Sequence, residues 1–319
     1  MKRHKICKII FAILAVFLCV AFYELIGICI TYKKQPAVSD ATIKETQNIM
    51  SVAGRENTER AVIIEKNSQA LLERVRLIQN AKDEIILSTF AFKSDESGKL
   101  ILGALHDAAD RGVHVRILVD GMESWIDMEG NPYFYGLSSH ENVEIKLYNK
   151  ANPLKPWKTM GRMHDKYLIA DGKIYILGGR NTYNYFLGDF PGHKNFDRDV
   201  LVVCDEPQKD NSVNQLWDYF ETIWEQEDCR YFHNSKKLAD RQSVKKAVLE
   251  LQEGYQQYFE VNKEKICDTD YADETFETEK IILLSNPIHT QAKEPVVWYQ
   301  LGELMKNAKE RVKIHTPYI

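Results

Sequence analysis

The sequence predicts an α/β fold, with helices packed on a mixed sheet and one transmembrane helix before it. Three observations carry this. Between residues 61 and 225, apolar stripes at helical spacing alternate with short apolar runs of strand length. A two-residue Asp171-Gly172 turn joins two of those runs, a strong hairpin signal. A 22-residue apolar segment opens the chain. The 319 residues, 44% hydrophobic and 28% charged, suffice for one large domain or two of ordinary size.

The opening segment runs from Ile9 to Ile30 and is apolar apart from Glu24. Lys2, Arg3, Lys5 and Lys8 precede it, and Lys33 and Lys34 follow. At helical rise these 22 residues reach across a hydrocarbon core of about 30 Å. A cleaved signal peptide with Ile9–Tyr23 as its apolar region is the alternative, but no convincing small-x-small cleavage site follows. Glu24 is costly at mid-bilayer; in the second half of the segment it reaches toward an interface or a partner helix. The flanking charges favour a cytoplasmic N terminus, so the chain is expected to be a single-pass cell-membrane protein with its remainder extracytoplasmic. Residues 1–34 are assigned to the anchor and the polar residues 35–60 to a partly helical juxtamembrane linker.

Residues 61–265 are expected to form the main repeat. Leu71, Leu72, Val75 and Ile78 mark a helix, followed by an apolar strand over Glu84–Phe92. A second helix carries Leu100, Ile101, Ala104, Leu105 and Ala108 on one side and ends near Gly112, a plausible C-cap. Val113, Val115, Ile117 and Val119 alternate with period two, and Val143–Tyr148 is a further strand. Beyond the hairpin, Asp199–Cys204 reads as a strand and Val213–Glu225 as a helix with Leu216, Phe220 and Trp224 on one stripe. Residues 236–266 are helical and charged. The 266–280 stretch, with six acids and no base in 268–279, reads as a solvated linker.

The last segment, 281–319, echoes an earlier one. Asn80-Ala81-Lys82-Asp83-Glu84-Ile85 is matched at a fixed offset by Asn307-Ala308-Lys309-Glu310-Arg311-Val312. The preceding helix (Leu77, Ile78 against Leu304, Met305) and the following strand (Leu87, Thr89 against Ile314, Thr316) keep the same register. Self-similarity at fixed offset marks a duplicated fold. The expectation is a two-repeat protein whose second repeat breaks off at Ile319, inside its first strand.

The chemistry concentrates in Met163–Asn181, where His164, Lys166, Asp171, Gly178, Gly179 and Asn181 follow the spacing HxK(x)4D(x)6GGxN. On a strand, residues two apart share a face, so His164 and Lys166 set a group that titrates near neutrality beside a fixed cation. That pairing suits attack on a phosphodiester: the imidazole is the nucleophile and the ammonium holds the non-bridging oxygens as their charge grows. Gly178 and Gly179 remove side chains where a phosphate comes close to backbone, and Asn181 supplies a neutral donor.

The pattern resembles the signature of the phospholipase D superfamily at every defining position. Its flanks (Arg162, the Tyr-rich Thr182–Phe186 and Phe196–Val200) resemble bacterial cardiolipin synthase-like members. The similarity covers roughly residues 65–230 and the broken repeat after 280. It implies a phospholipase D-like mixed sheet flanked by helices. In it, His164 is a phosphohistidine-forming nucleophile or the general acid to its partner. Lys166, Gly179 and Asn181 hold phosphate, and Asp197, or failing that Asp199, orients an active-site histidine. Asp171 belongs to the catalytic signature, although its place in the turn points to a structural contribution. Lys155, Lys158 and Arg162 form either a solvated loop or a steering patch for anionic headgroups.

The resemblance implies no metal and no cofactor, and the cysteines agree. Cys7, Cys19 and Cys29 lie in or beside the anchor, and Cys204, Cys229 and Cys267 lack metal-ligand spacing. Members use two facing HxK motifs, whereas none of the other eight histidines here has a lysine two positions on; at His233 the place is taken by Ser235. The expected partners are therefore membrane phospholipids and a second repeat of the same polypeptide, with a homodimer mate as second choice. The leading expectation is phospholipase D-type or phosphatidyltransferase activity on phospholipids, in a cardiolipin synthase-like form. A membrane-tethered nuclease and a non-catalytic headgroup binder are the alternatives. A net charge of −4 supplies no basic field, so nucleic acid is not expected.

Overall fold

The structure, a computed structural model, describes residues 2–51, 59–152, 154–206, 210–286 and 288–314. In chain order its elements are α1 (Lys2–Tyr32), α2 (Asp40–Ser51), β1 (Glu59–Ile64), α3 (Asn67–Asn80), β2 (Glu84–Thr89), α4 (Glu96–Asp110), β3 (His114–Asp120), α5 (Trp125–Met128) and α6 (Pro132–Ser138). They continue with β4 (Val143–Tyr148), β5 (Tyr167–Ala170), β6 (Ile174–Gly178), β7 (Asp199–Cys204), α7 (Ser212–Trp224), β8 (Cys229–Tyr231), α8 (Gln242–Cys267), β9 (Phe276–Glu277) and α9 (Val296–Asn307). The chain divides into two compact units, residues 56–150 with 162–283, and residues 1–55 with 151–161 and 284–319.

The larger unit is built on one mixed sheet in the order β8-β4-β3-β2-β5-β6-β7-β1-β9. β2, β3 and β4 run parallel, and every other pairing is antiparallel. Parallel neighbours need a crossover, which α4 provides between β2 and β3, and α5 with α6 between β3 and β4. Val115, Ile117 and Val119 of β3 point to the face covered by α3, α4 and α8, where the main apolar core lies. On the opposite face α7 brings Phe220 and Glu221 to Arg116. With both faces covered, β3 is buried along all but its first residue, as a strand within a parallel stretch should be. The α4 helix is capped as its sequence suggests: the Asp95 carboxylate accepts from the Gly98 N–H, and Gly112 follows the last turn at φ +93°.

The expected hairpin is present. Asp171 and Gly172 both take positive φ (53° and 62°), closing β5 onto β6. Two features were not anticipated. The run Ala61–Ile64, unassigned from sequence, is part of β1, which pairs with β7 and β9. The acidic stretch is exposed over most of its length, as a solvated segment should be, but two arginines, Arg76 of α3 and Arg60 of β1, hold it to the domain. The guanidinium of Arg76 donates to the carbonyls of Asp268 and Asp270 and to both Glu274 carboxylate oxygens, and lies 3.9 Å from the Tyr271 ring centroid. Arg60 donates to the carbonyls of Ala272 and Thr275. Asp268 and Glu274 thereby pair with Arg76 and Glu277 with Arg60, cations that the sequence places about 200 residues away.

In the smaller unit, α1 contains a 29-residue stretch, His4–Tyr32, that is long and apolar enough to cross a membrane. Part of the linker expected over 35–60 is α2, whose N-terminal Ser39 donates through its N–H and hydroxyl to Glu294; residues 52–58 lie outside the described ones. The echo of α3 is structural as well. α3 ends at Asn80 with Ala81 at φ −61°, ψ 138°, and α9 ends at Asn307 with Ala308 at φ −65°, ψ 127°. Residues 310–314 form no strand, and Thr316 lies outside the described residues.

Candidate active site

The strands of the larger unit deliver the motif to one end of the sheet. Ser88 pairs with Tyr167, Tyr167 with Leu177, and Gly178 with Asp199. The C-terminal ends of β2, β3 and β6 and the N-terminal ends of β5 and β7 therefore converge there. His164 and Lys166 lie not on β5, as the sequence suggested, but in the extended segment entering it; the Gly178 N–H still reaches the Lys166 carbonyl at 3.2 Å. The alternation holds. Met163 is buried against the Ser88 hydroxyl, and the Asp165 carboxylate accepts from the Tyr219 hydroxyl on α7 at 2.8 Å. His164 and Lys166 turn to the other side.

There the imidazole of His164 rests on the Phe90 ring, centroids 4.6 Å apart, and the Lys166 ammonium lies 5.1 Å from the same centroid. The Lys166 Nζ donates to the His164 carbonyl at 2.6 Å. Lys166 is only 6% exposed, and burial pushes its pKa down to about 8, although the carboxylates of Asp165 and Asp197 oppose the shift. His164 is exposed on its outer side. Loss of hydration on the packed side, then the Lys166 charge, holds its pKa below the ordinary value. At neutral pH the pair is therefore a neutral imidazole beside a cation close to the edge of its protonated range.

The remaining motif residues divide by position. Asn181 is nearly buried, and its Oδ1 accepts from the Ala91 N–H at 3.1 Å. Only an oxygen can meet that N–H, so the amide is held with its NH2 group free to donate elsewhere. At Gly179 a Cβ would overlap the Asp197 carboxylate, and at Gly178 that of Asp199. The two glycines make room for these carboxylates, a reason the sequence did not disclose. Asp199 is fully buried and paired with Arg74 and Arg180 at 2.9 and 3.3 Å, so it is committed to the framework. Asp197 faces the Lys166 charge and makes no hydrogen bond to His164. Asp171 is elsewhere. Seven residues beyond His164, at strand rise of about 3.3 Å per residue, it lies about 20 Å away. Its carboxylate there accepts from the N–H groups of Lys82, Asp83 and Glu84 at 2.9–3.0 Å. That geometry ties the hairpin to the start of β2 and brings no oxygen to His164.

Sequence reasoning missed several residues. Asp120, fully buried at the end of β3, accepts from the N–H groups of Met122, Glu123 and Met163 and abuts the Arg162 guanidinium. Its position at the C-terminal end of a parallel strand was the available signal. Arg162 is consequently part of the framework and not of a solvated loop. Arg180, 1% exposed, bonds the carbonyls of Ile64 and Glu65 and the side chain of Asn67. No metal-binding group of histidine, cysteine, aspartate or glutamate occurs among the described residues.

A family model described as cardiolipin synthase, PLD-like domain matches residues 75–224, a span that contains His164, Lys166, Asp171, Gly178, Gly179, Asn181, Asp197 and Asp199. This domain belongs to the phospholipase D superfamily. Members of that superfamily are phosphodiesterases and transferases. Cardiolipin synthase C of Escherichia coli is 29% identical to this chain over 154 residues, covering 44% of this chain and 31% of the relative. A Helicobacter pylori protein is 33% identical over 181 residues, 52% of this chain and 35% of its own. The chain thus spans about a third of the length of these curated relatives. Among solved structures, the phospholipase D family member Nuc of Salmonella typhimurium aligns with 55% of this chain and 98% of its own, at 20% identity and a TM-score of 0.39.

Proposed function

We propose that the protein is a membrane-anchored phosphodiesterase or phosphatidyltransferase acting on phospholipids, in the manner of a cardiolipin synthase. The observation that carries this reading is the pairing on one ring of a neutral, solvent-facing imidazole and a desolvated lysine. The first half-reaction forms a bond from the His164 ring nitrogen to phosphorus and breaks the bond to the leaving alcohol. That alcohol takes its proton from a second histidine. The second half-reaction transfers phosphorus from nitrogen to the oxygen of an acceptor, which gives its proton back to the second histidine. Lys166 and the Asn181 amide hold the non-bridging oxygens as charge develops on them. In the mirror version His164 is the acid and the second histidine attacks.

The second histidine is proposed to come from a further repeat of the same polypeptide, supported by the α3-like ending of α9, or from a second copy of the chain. Asp197, which faces Lys166 across Gly179, is proposed to accept from one of the two imidazoles once both are present. Asp171 is proposed to act on stability alone. The α1 helix is proposed to span the cell membrane with the domain outside the cytoplasm, which keeps the site at a lipid surface. Full-length protein in phosphatidylglycerol vesicles should release glycerol, with cardiolipin as the lipid product if a lipid hydroxyl is the acceptor and phosphatidic acid if water is. Vesicles whose lipids and free glycerol are unchanged would reject the lipid reading, and cleavage of single-stranded DNA by the same preparation would favour the nuclease.

A further inference from the structure

The His164 ring has no hydrogen-bond partner among the described residues; the contact that orients it is the Phe90 ring, centroids 4.6 Å apart and planes tilted by 59°. Lys166 meets the same ring, with its ammonium 5.1 Å from the centroid. We propose that Phe90 is a positioning residue, a single aromatic platform that sets the imidazole and the ammonium at a fixed mutual distance and screens both from water on their inner side.

The placement of the platform is fixed by hydrogen bonds from two other segments and from the neighbouring Thr89. The Ser124 hydroxyl, from the turn after β3, donates to the Phe90 carbonyl at 3.1 Å. On the other side of Phe90, the Ala91 N–H donates to Asn181, and the Ala91 carbonyl accepts from the Thr182 N–H at 3.0 Å and from the Thr89 hydroxyl at 3.1 Å. The peptide units flanking the ring are thus tied to the β3 turn and to the segment after β6, the same segment that carries Asn181. A cation over an aromatic face is attracted by the ring quadrupole, and a tilted imidazole–phenyl pair gains beyond its buried area. Both contacts need a ring; an aliphatic side chain of similar volume fills the space without holding either group at an angle. Misplacement of reacting groups by about 1 Å can cost on the order of 100-fold in rate. Phe90 also explains how an imidazole that must leave its rest position to bond phosphorus can be oriented without a hydrogen bond that would have to break.

The catalytic consequence rests on the phosphodiester reading; the orienting contact does not, so two readouts separate them. Full-length protein in detergent, labelled at histidine ring carbons, is compared as wild type, F90L and F90Y, with the His164 signal assigned by its loss in H164A. The ring current of residue 90 should displace the His164 signal in wild type and F90Y, and F90L should return it toward the position of an imidazole with no ring beside it. On bis-p-nitrophenyl phosphate, F90L should lose roughly 10- to 100-fold in kcat with KM little changed, and F90Y should restore most of it. An F90L protein with an unmoved His164 signal and wild-type kcat would overturn the proposal. So would an F90Y protein as impaired as F90L, since the role would then be bulk packing. A signal that moves in F90L and returns in F90Y, with no diester turnover in any of the three including wild type, would leave the platform standing and reject the phosphodiesterase reading.

Discussion

Lys166 works at a cost to the fold. Its side chain is buried, and its pKa is pushed down to about 8. Below that pH the folded and unfolded chains both carry the charge, and the folded one bears the full desolvation penalty. Between about 8 and the ordinary value near 10.4 the folded form sheds its proton first and the penalty fades. Lys166→Met should therefore raise stability at pH 7 by on the order of 1–3 kcal/mol, read as a higher thermal midpoint, and the gain should vanish by pH 10.5 while activity is lost. The same two shifts frame the pH dependence of the reaction. With His164 as the nucleophile, rate on a soluble diester should rise as His164 loses its proton, below the ordinary histidine value, and fall above about 8 as Lys166 is neutralised. Lys166→Arg should remove the alkaline fall; a profile flat from pH 5 to 10 would refute both assignments. Asp171→Ala should cost about 1–3 kcal/mol, since it leaves three backbone N–H groups without their acceptor; a fall in kcat at unchanged stability would show that its role is chemical. His164 and Lys166 were legible in the sequence because their spacing places them on one side of an extended run, and Asn181 because it follows the Gly178-Gly179 pair at a fixed distance. Phe90 was not, since an aromatic at a strand end has no signature until its neighbours are known. Nor was the carboxylate reason for Gly178 and Gly179, which depends on residues about 20 positions further on.

At the scale of elements, periodicity served where both faces of a segment had local causes. The stripe of α3, the alternation of β3 and the Asp171-Gly172 turn were readable because each is decided within a few residues. β1 was not. Its four apolar residues Ala61–Ile64 follow a polar run with no turn signal, and their partners on β7 lie about 140 residues away. The anchoring of the acidic stretch was hidden for a related reason. Six unpaired carboxylates in sequence imply solvent, but Arg76 reads as one more polar residue of an amphipathic helix, and only the fold brings its guanidinium to Tyr271 and Glu274. A buried charge that loses its partners is expensive, so the contact is best tested from the acid side. Glu274→Gln together with Asp268→Asn should loosen the stretch 268–277, seen as faster cleavage there under limited proteolysis, with the cores of β3 and α4 still protected. Unchanged protection of 268–277 would show that the backbone carbonyl contacts of Arg76 and Arg60 suffice.

For the molecule as a whole, the proposed reaction needs two histidines at one phosphorus. General acid catalysis typically contributes about 10²–10⁴-fold, so the chain described here, with its single His-x-Lys motif, should turn over diesters slowly unless a second copy or a further repeat completes the site. A two-fold pairing would bring the same patch from both copies together. Activity of the 319-residue chain in detergent should then climb with the square of its concentration, whereas robust turnover independent of concentration would contradict the two-histidine requirement. The measurement that bears most directly on the central claim is the rate at which full-length His164→Ala protein consumes phosphatidylglycerol beside wild type, with thermal unfolding as a control for folding. His164→Ala should lose at least about 10³-fold at an unchanged unfolding midpoint, because either the nucleophile or the proton donor is gone. Consumption at the wild-type rate would contradict that role.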